Sequence, residues 1–151
     1  RSQPLANGLV YERRYELRGD QPELRVTSKL SNPGGAAKKG RIRVHPCFRL
    51  AEAKTGALEM DGLRRTLAPG AAKEQEIWLR GNARPAGAWS ILDRAGKVRI
   101  TNRFEPSQVE IAYFNWNGPD HRANLELYTP EMSLQAGESV VLDHRYEFSR
   151  P

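Results

Sequence analysis

Residues 108–129 read QVEIAYFNWNGPDHRANLELYT. Two runs of strand-forming residues flank a Gly118-Pro119 break, where neither regular structure continues. In the second run Ala123, Leu125 and Leu127 have one parity, and Arg122, Asn124, Glu126 and Tyr128 have the other. Successive strand side chains point to opposite faces, so this run has an apolar face and a polar face carrying Glu126. In the first run Val109, Ile111 and Tyr113 share one side, and Glu110, Ala112, Phe114 and Trp116 the other. Aromatic rings beside a carboxylate suit a sugar ring. The apolar face of the sugar stacks on the aromatic group and its hydroxyls bond to polar groups. Phe114 and Trp116, with Asn124 and Tyr128 beside Glu126 and with Arg43 from an earlier run, are the expected binding residues.

Working outward, the same grammar repeats. LVYERRYELRG and ELRVTSKLSN near-alternate around GDQP, a hairpin connection. GAWSILD and KVRITNRF flank Arg94-Ala95-Gly96, and ESVVLDHRYEF follows the opening pair. NPGGAAKKG reads as a loop and AEAKTGALEM as a short irregular segment with a turn. AAKEQEIWL reads as a strand, because Ile77, Trp78 and Leu79 favour one. About ten short strands at roughly ten-residue spacing predict an all-β fold, an antiparallel β-sandwich. TLAPGAAKEQEIWL and SLQAGESVVLDHRYEF both run Leu-x-x-Gly into a strand, as a core-plugging leucine before a turn would produce. Trp78 and Trp89 have no discriminating context and default to the core.

The run RVHPCFRL, residues 43–50, carries the other candidate groups. Ile42, Val44, Phe48 and Leu50 share one parity. Arg41, Arg43, His45, Cys47 and Arg49 share the other, so His45 sits among arginines. Pro46 has no backbone N–H and marks an edge, a bulge or the strand's end. Cys47 lies two residues from His45, about 7 Å along a strand, too far for a nucleophile–base pair. His144 is read as a structural histidine and His121 as a turn residue. The three histidines have no metal-ligand spacing, so neither metal nor cofactor is expected.

The chain has 151 residues, enough for one domain with a real core. One β-sandwich domain over 1–151 is expected. Its 24 Lys and Arg against 18 Asp and Glu give a net charge of +6. The basic residues are scattered and no nucleic-acid motif accompanies them, which disfavours nucleic acid as a partner. No apolar stretch is long enough for a membrane span. A lone Cys47 excludes an internal disulfide and leaves the compartment open, periplasmic or secreted against cytoplasmic. The first residue is Arg1 rather than Met, so the chain is expected to be processed or part of a longer one whose other segments would be partners.

HPCFRL resembles the His-x-x-Phe-x-Leu strand of the galactose mutarotase-like (aldose 1-epimerase) superfamily. KVRITNRFEPSQVEIAYFNWN is similar to that family's strand, short turn and strand ending near an Asn. NLELYTPEMSLQAGESVVLDHRYEF resembles its glutamate strand, gap, Leu-x-Pro-Gly-Glu and closing strand, and ELRVTSKLSNPG fits an earlier strand. The matches run in the family's order over most of residues 22–148. The resemblance implies a large antiparallel sandwich with a sugar groove on one sheet. It also implies His45 as the acid toward the ring oxygen and Glu126 as the base toward the anomeric hydroxyl, with Arg43 nearby. Imidazole and carboxylate suit those roles at neutral pH.

The family's N-terminal half has no counterpart here, and the segment that usually carries a substrate-binding Asp is compressed. Asp61 and Asp93 are the nearest stand-ins. Three readings stay open: a domain that binds a mono- or oligosaccharide, an active hexose 1-epimerase, and an accessory domain of a larger carbohydrate-active protein.

Overall fold

The computed structural model describes residues 2–51, 56–67 and 75–151. Fifteen strands are described: β1 Ser2–Pro4, β2 Val10–Leu17, β3 Glu23–Ser31, β4 Lys38–Gly40, β5 Arg43–Val44, β6 Phe48–Arg49, β7 Gly56–Met60, β8 Leu63–Thr66, β9 Gln75–Arg80, β10 Ala88–Asp93, β11 Val98–Phe104, β12 Ile111–Asn117, β13 Arg122–Tyr128, β14 Met132–Leu134 and β15 Ser139–Ser149. Eight form one sheet in the order β1-β2-β3-β15-β11-β10-β7-β8. A second sheet runs β5-β13-β12-β9, with β6 also on β13, and β4 pairs with β14. All pairings are antiparallel.

One apolar cluster joins the two sheets. The large sheet contributes Leu30, Leu58, Trp89, Ile91, Phe104 and Leu142. The small sheet contributes Val44, Leu79, Ala112, Phe114, Trp116, Ala123, Leu125 and Leu127. The alternation of β13 is therefore the fold's own alternation, one face inward and one outward. Leu67 and Leu134, the leucines of the repeated Leu-x-x-Gly pattern, are both buried in this cluster. Residues 68–74, which complete the first copy, lie outside the described residues.

The expected hairpins form, β2 with β3 and β10 with β11. Pro46 falls between β5 and β6, so a run that reads as one strand becomes two short ones on β13. Two expectations need correcting. In the expected loop NPGGAAKKG, Lys38–Gly40 pair with β14. In AEAKTGALEM, Gly56–Met60 form a strand between β10 and β8, whereas residues 52–55 lie outside the described ones. Asp61 and Gly62, with φ of 44° and 79°, make the two-residue turn of that hairpin, joining Met60 to its partner Leu63.

Gly40 is a close-approach glycine. A Cβ there would lie 2.7 Å from Leu9 Cδ1 and 2.9 Å from Leu30 Cδ2, both buried side chains. Gly40→Ala is expected to cost about 1–3 kcal/mol by overpacking, read as a lowered denaturation midpoint.

Candidate functional site

The outward face of the small sheet carries the candidate site, and strand register arranges it in rows. Tyr113 stands opposite Glu126 on one side and Trp78 on the other. Asn115 stands between Asn124 and Glu76 in the next row. Asn117 lies opposite Arg122, which also faces Arg49. An open groove of about 340 Å³ runs along the β12 and β13 part of these rows, lined in part by Arg43, His45, Tyr113, Asn115, Asn124, Glu126 and Arg122, with Trp78 and Arg49 flanking it outside the lining.

Glu126 is 0% exposed yet lies on this polar face, outside the apolar core. Burying a carboxylate demands compensation, and Arg43 and Tyr128 donate to it with His45 alongside. Arg43 donates through Nε to Oε2 at 2.7 Å and through Nη2 to Oε1 at 3.2 Å. Tyr128 donates its hydroxyl to Oε2 at 3.0 Å. His45 Nδ1 lies 3.1 Å from Oε1. The bond to Glu126 holds the Arg43 guanidinium more firmly protonated than an ordinary arginine. Burial, then the bond to Glu126, pushes the Tyr128 phenol up to about 12.

His45 has a distinct partner on each ring nitrogen. Nδ1 also lies 3.1 Å from Arg43 Nη2. With the Asn124 amide donating to Pro46 O at 2.9 Å and Ala123 O at 3.2 Å, its oxygen accepts from His45 Nε2–H at 3.1 Å. In that tautomer Nδ1 accepts from Arg43, and on protonation it gains a proton to donate to Glu126. The ring is about half exposed, while the carboxylate beside it has no exposed surface.

The structure brings Arg43, His45, Asn124, Glu126 and Tyr128 together. It separates Phe114 and Trp116 from them. Both are 0% exposed and belong to the core, which corrects their expected place in the groove. Alternation on β12 is phased the other way: Ala112, Phe114 and Trp116 face in, and Tyr113, Asn115 and Asn117 face the groove. Trp78 is the second correction, because it is 49% exposed rather than in the core. Its ring packs on Tyr113 at 4.2 Å between centroids and reaches Tyr128 at 6.0 Å. The Arg80 guanidinium lies over it at 5.9 Å. Tyr113 donates to Glu76 at 2.8 Å, and burial followed by that bond pushes its phenol up to about 12.

Elsewhere, Trp89 is buried and His144 sits in the interior with Nδ1 3.2 Å from Asn102 Oδ1. Asp61 caps Ala86 N and Asp93 holds Ala51 N and Gly96 N, so neither lines the groove. Cys47 is exposed at the groove's rim. Among the described residues no three His, Cys, Asp or Glu side chains group to hold a metal ion, and no helix is long and apolar enough to cross a membrane.

No protein-family model matches the sequence, and no curated protein matches it. Solved structures do match. The galactose mutarotase related enzyme of Lactobacillus acidophilus aligns with a TM-score of 0.73 at 12% identity, over 93% of this chain and 61% of its own. The Slr1438 protein of Synechocystis sp. PCC 6803 gives 0.70 at 13% identity, over 99% and 64%. A galactose mutarotase-like protein of Clostridium acetobutylicum gives 0.62 at 10% identity, over 100% and 65%. The chain has the galactose mutarotase-like sandwich fold and spans less than two thirds of the length of these structures.

Proposed function

We propose, from the mutarotase-like sandwich as premise, that this domain binds a saccharide on the outward face of its small sheet. The observation that carries the reading is Trp78, a half-exposed indole packed on Tyr113 and Tyr128 in the same row as Glu126. A pyranose offers C–H groups to such a ring and hydroxyls to the polar face of β12 and β13 beside it. Trp78, Tyr113 and the polar face beside them stand on β9, β12 and β13, neighbouring strands of one sheet and a pre-ordered surface that loses little freedom on binding.

Binding without turnover is the better reading. A general base needs a carboxylate oxygen within reach of the proton it removes. Glu126 is wholly buried and both its oxygens already accept from Arg43, with Tyr128 and His45 alongside. An epimerase with His45 as acid and Glu126 as base is the second reading. The 3.1 Å contact between the two groups favours it, and it requires Arg43 to swing away.

Calorimetry with galactose, glucose and their oligomers tests binding, and polarimetry on α-galactose tests turnover. Heat is expected with at least one sugar, and Trp78→Ala is expected to weaken it at least tenfold. No mutarotation above the spontaneous rate is expected. Absence of binding to every sugar would remove the proposal. Mutarotation lost in both His45→Ala and Glu126→Gln would establish the epimerase instead.

A further inference from the structure

We infer that the ligand is an acidic oligosaccharide whose anionic group seats on Arg122, at the end of the groove away from the Trp78 row, and on Arg49 paired beside it at the groove's edge. This rests on the saccharide reading above and names the class of saccharide.

Arg122 on β13 and Arg49 on β6 are directly opposed partners in register, and both are exposed. Facing positions of an antiparallel pair hold Cβ atoms about 5 Å apart, and like charges placed there repel. Among the described residues neither guanidinium is in an ion pair. Arg122 and the Asp120 carboxylate line the groove and Arg49 stands beside Arg122 at its edge, so two positive charges are set against one negative charge at this end. By contrast, Arg43 in the same groove is neutralised by Glu126. Two adjacent guanidinium forks form a natural seat for a carboxylate or a sulfate ester.

Spacing sets the ligand's length. Trp78, Tyr113 and Glu126 share one row, and Arg122 lies four residues from Glu126 along β13. At about 3.4 Å per residue the anion seat is about 14 Å from the aromatic row. One sugar ring stacked on Trp78 does not reach it. The rows between present Asn115, Asn124 and Asn117, uncharged hydrogen-bonding groups suited to a bridging sugar unit. The groove thus grades from aromatic, through amide, to cationic. That order fits an oligomer with a ring at one end and an acid further along.

Calorimetric titration with galactotriose, trigalacturonate, a sulfated galactose trisaccharide and monomeric galacturonic acid tests this. At low salt at least one acidic trimer is expected to bind ten or more times tighter than galactotriose. The preference should shrink as salt rises, since exposed charges are screened. It should fall to about one in the Arg49→Gln/Arg122→Gln double variant, whose fold is checked by its circular dichroism spectrum. Trigalacturonate and the sulfated trimer distinguish a carboxylate from a sulfate ester. Equal binding of acidic and neutral trimers overturns the inference while the saccharide reading stands. Galacturonic acid binding as tightly as its trimer overturns the spacing argument and with it the inference. Failure of every sugar to bind overturns both readings.

Discussion

Replacing Arg43 with Met is expected to destabilise the fold by about 3 kcal/mol, the lower end of what breaking a buried ion pair costs. The guanidinium is half exposed, so water partly fills its place. Glu126 is not exposed at all and would keep the Tyr128 hydroxyl as its remaining donor. An uncompensated buried charge, rather than a lost attraction, is the source of the effect. The double variant Arg43→Met/Glu126→Gln should therefore recover most of the loss, because it removes the charge along with its partner. Urea denaturation of the wild type, both single variants and the double variant measures this as a coupling energy. Additive losses would mean that Arg43 and Glu126 do not stabilise each other.

Stability is also expected to fall steeply between pH 6.5 and 4. Burial, followed by the charge of Arg13 and opposed by Asp143, lowers the His144 pKa from 6.5 to about 4. The folded chain holds this imidazole neutral, while the unfolded chain takes up a proton below pH 6.5. Unfolding therefore binds protons across that window, and stability declines as pH falls, levelling below about 4. A depression from 6.5 to about 4 corresponds to about 3 kcal/mol. His144→Gln removes the titrating group and should flatten this part of the profile. An unchanged slope in the variant would assign the acid sensitivity to other groups.

Much of this was legible in particular residues. Strand β13 separates Ala123, Leu125 and Leu127 from Asn124, Glu126 and Tyr128 by parity alone, because one face packs on the core and the other meets polar partners. Arg43 and His45 follow from the same rule on RVHPCFRL, and the proline that ends one strand also lets its carbonyl accept from Asn124. Strand β12 resists the rule because Tyr113 on one face and Phe114 and Trp116 on the other are all aromatic. Its phase is set by pairing Tyr113 with Glu126, a register between strands that parity within one strand does not contain.

Trp78 shows the same limit. A tryptophan in a short strand carries no sign of its face until β9 is laid against β12. The strand Gly56–Met60 was different, since Asp61-Gly62 between Met60 and Leu63 is a strong hairpin signal. The Thr55-Gly56 break before it makes the segment read as irregular. The contacts that fill the valences of Glu126 join residues 43, 45, 126 and 128, and only the folded sheet assembles them.

The central claim is that a saccharide lies on the outward face of the small sheet against Trp78. Two-dimensional ¹⁵N NMR of the labelled chain, titrated with neutral and acidic galactose oligomers, tests it most directly. Shifts are expected at the Trp78 indole N–H, at the Asn115 and Asn124 side-chain amides and along β9, β12 and β13. Shifts confined to the large sheet's outer face, or none with any oligomer, would contradict it.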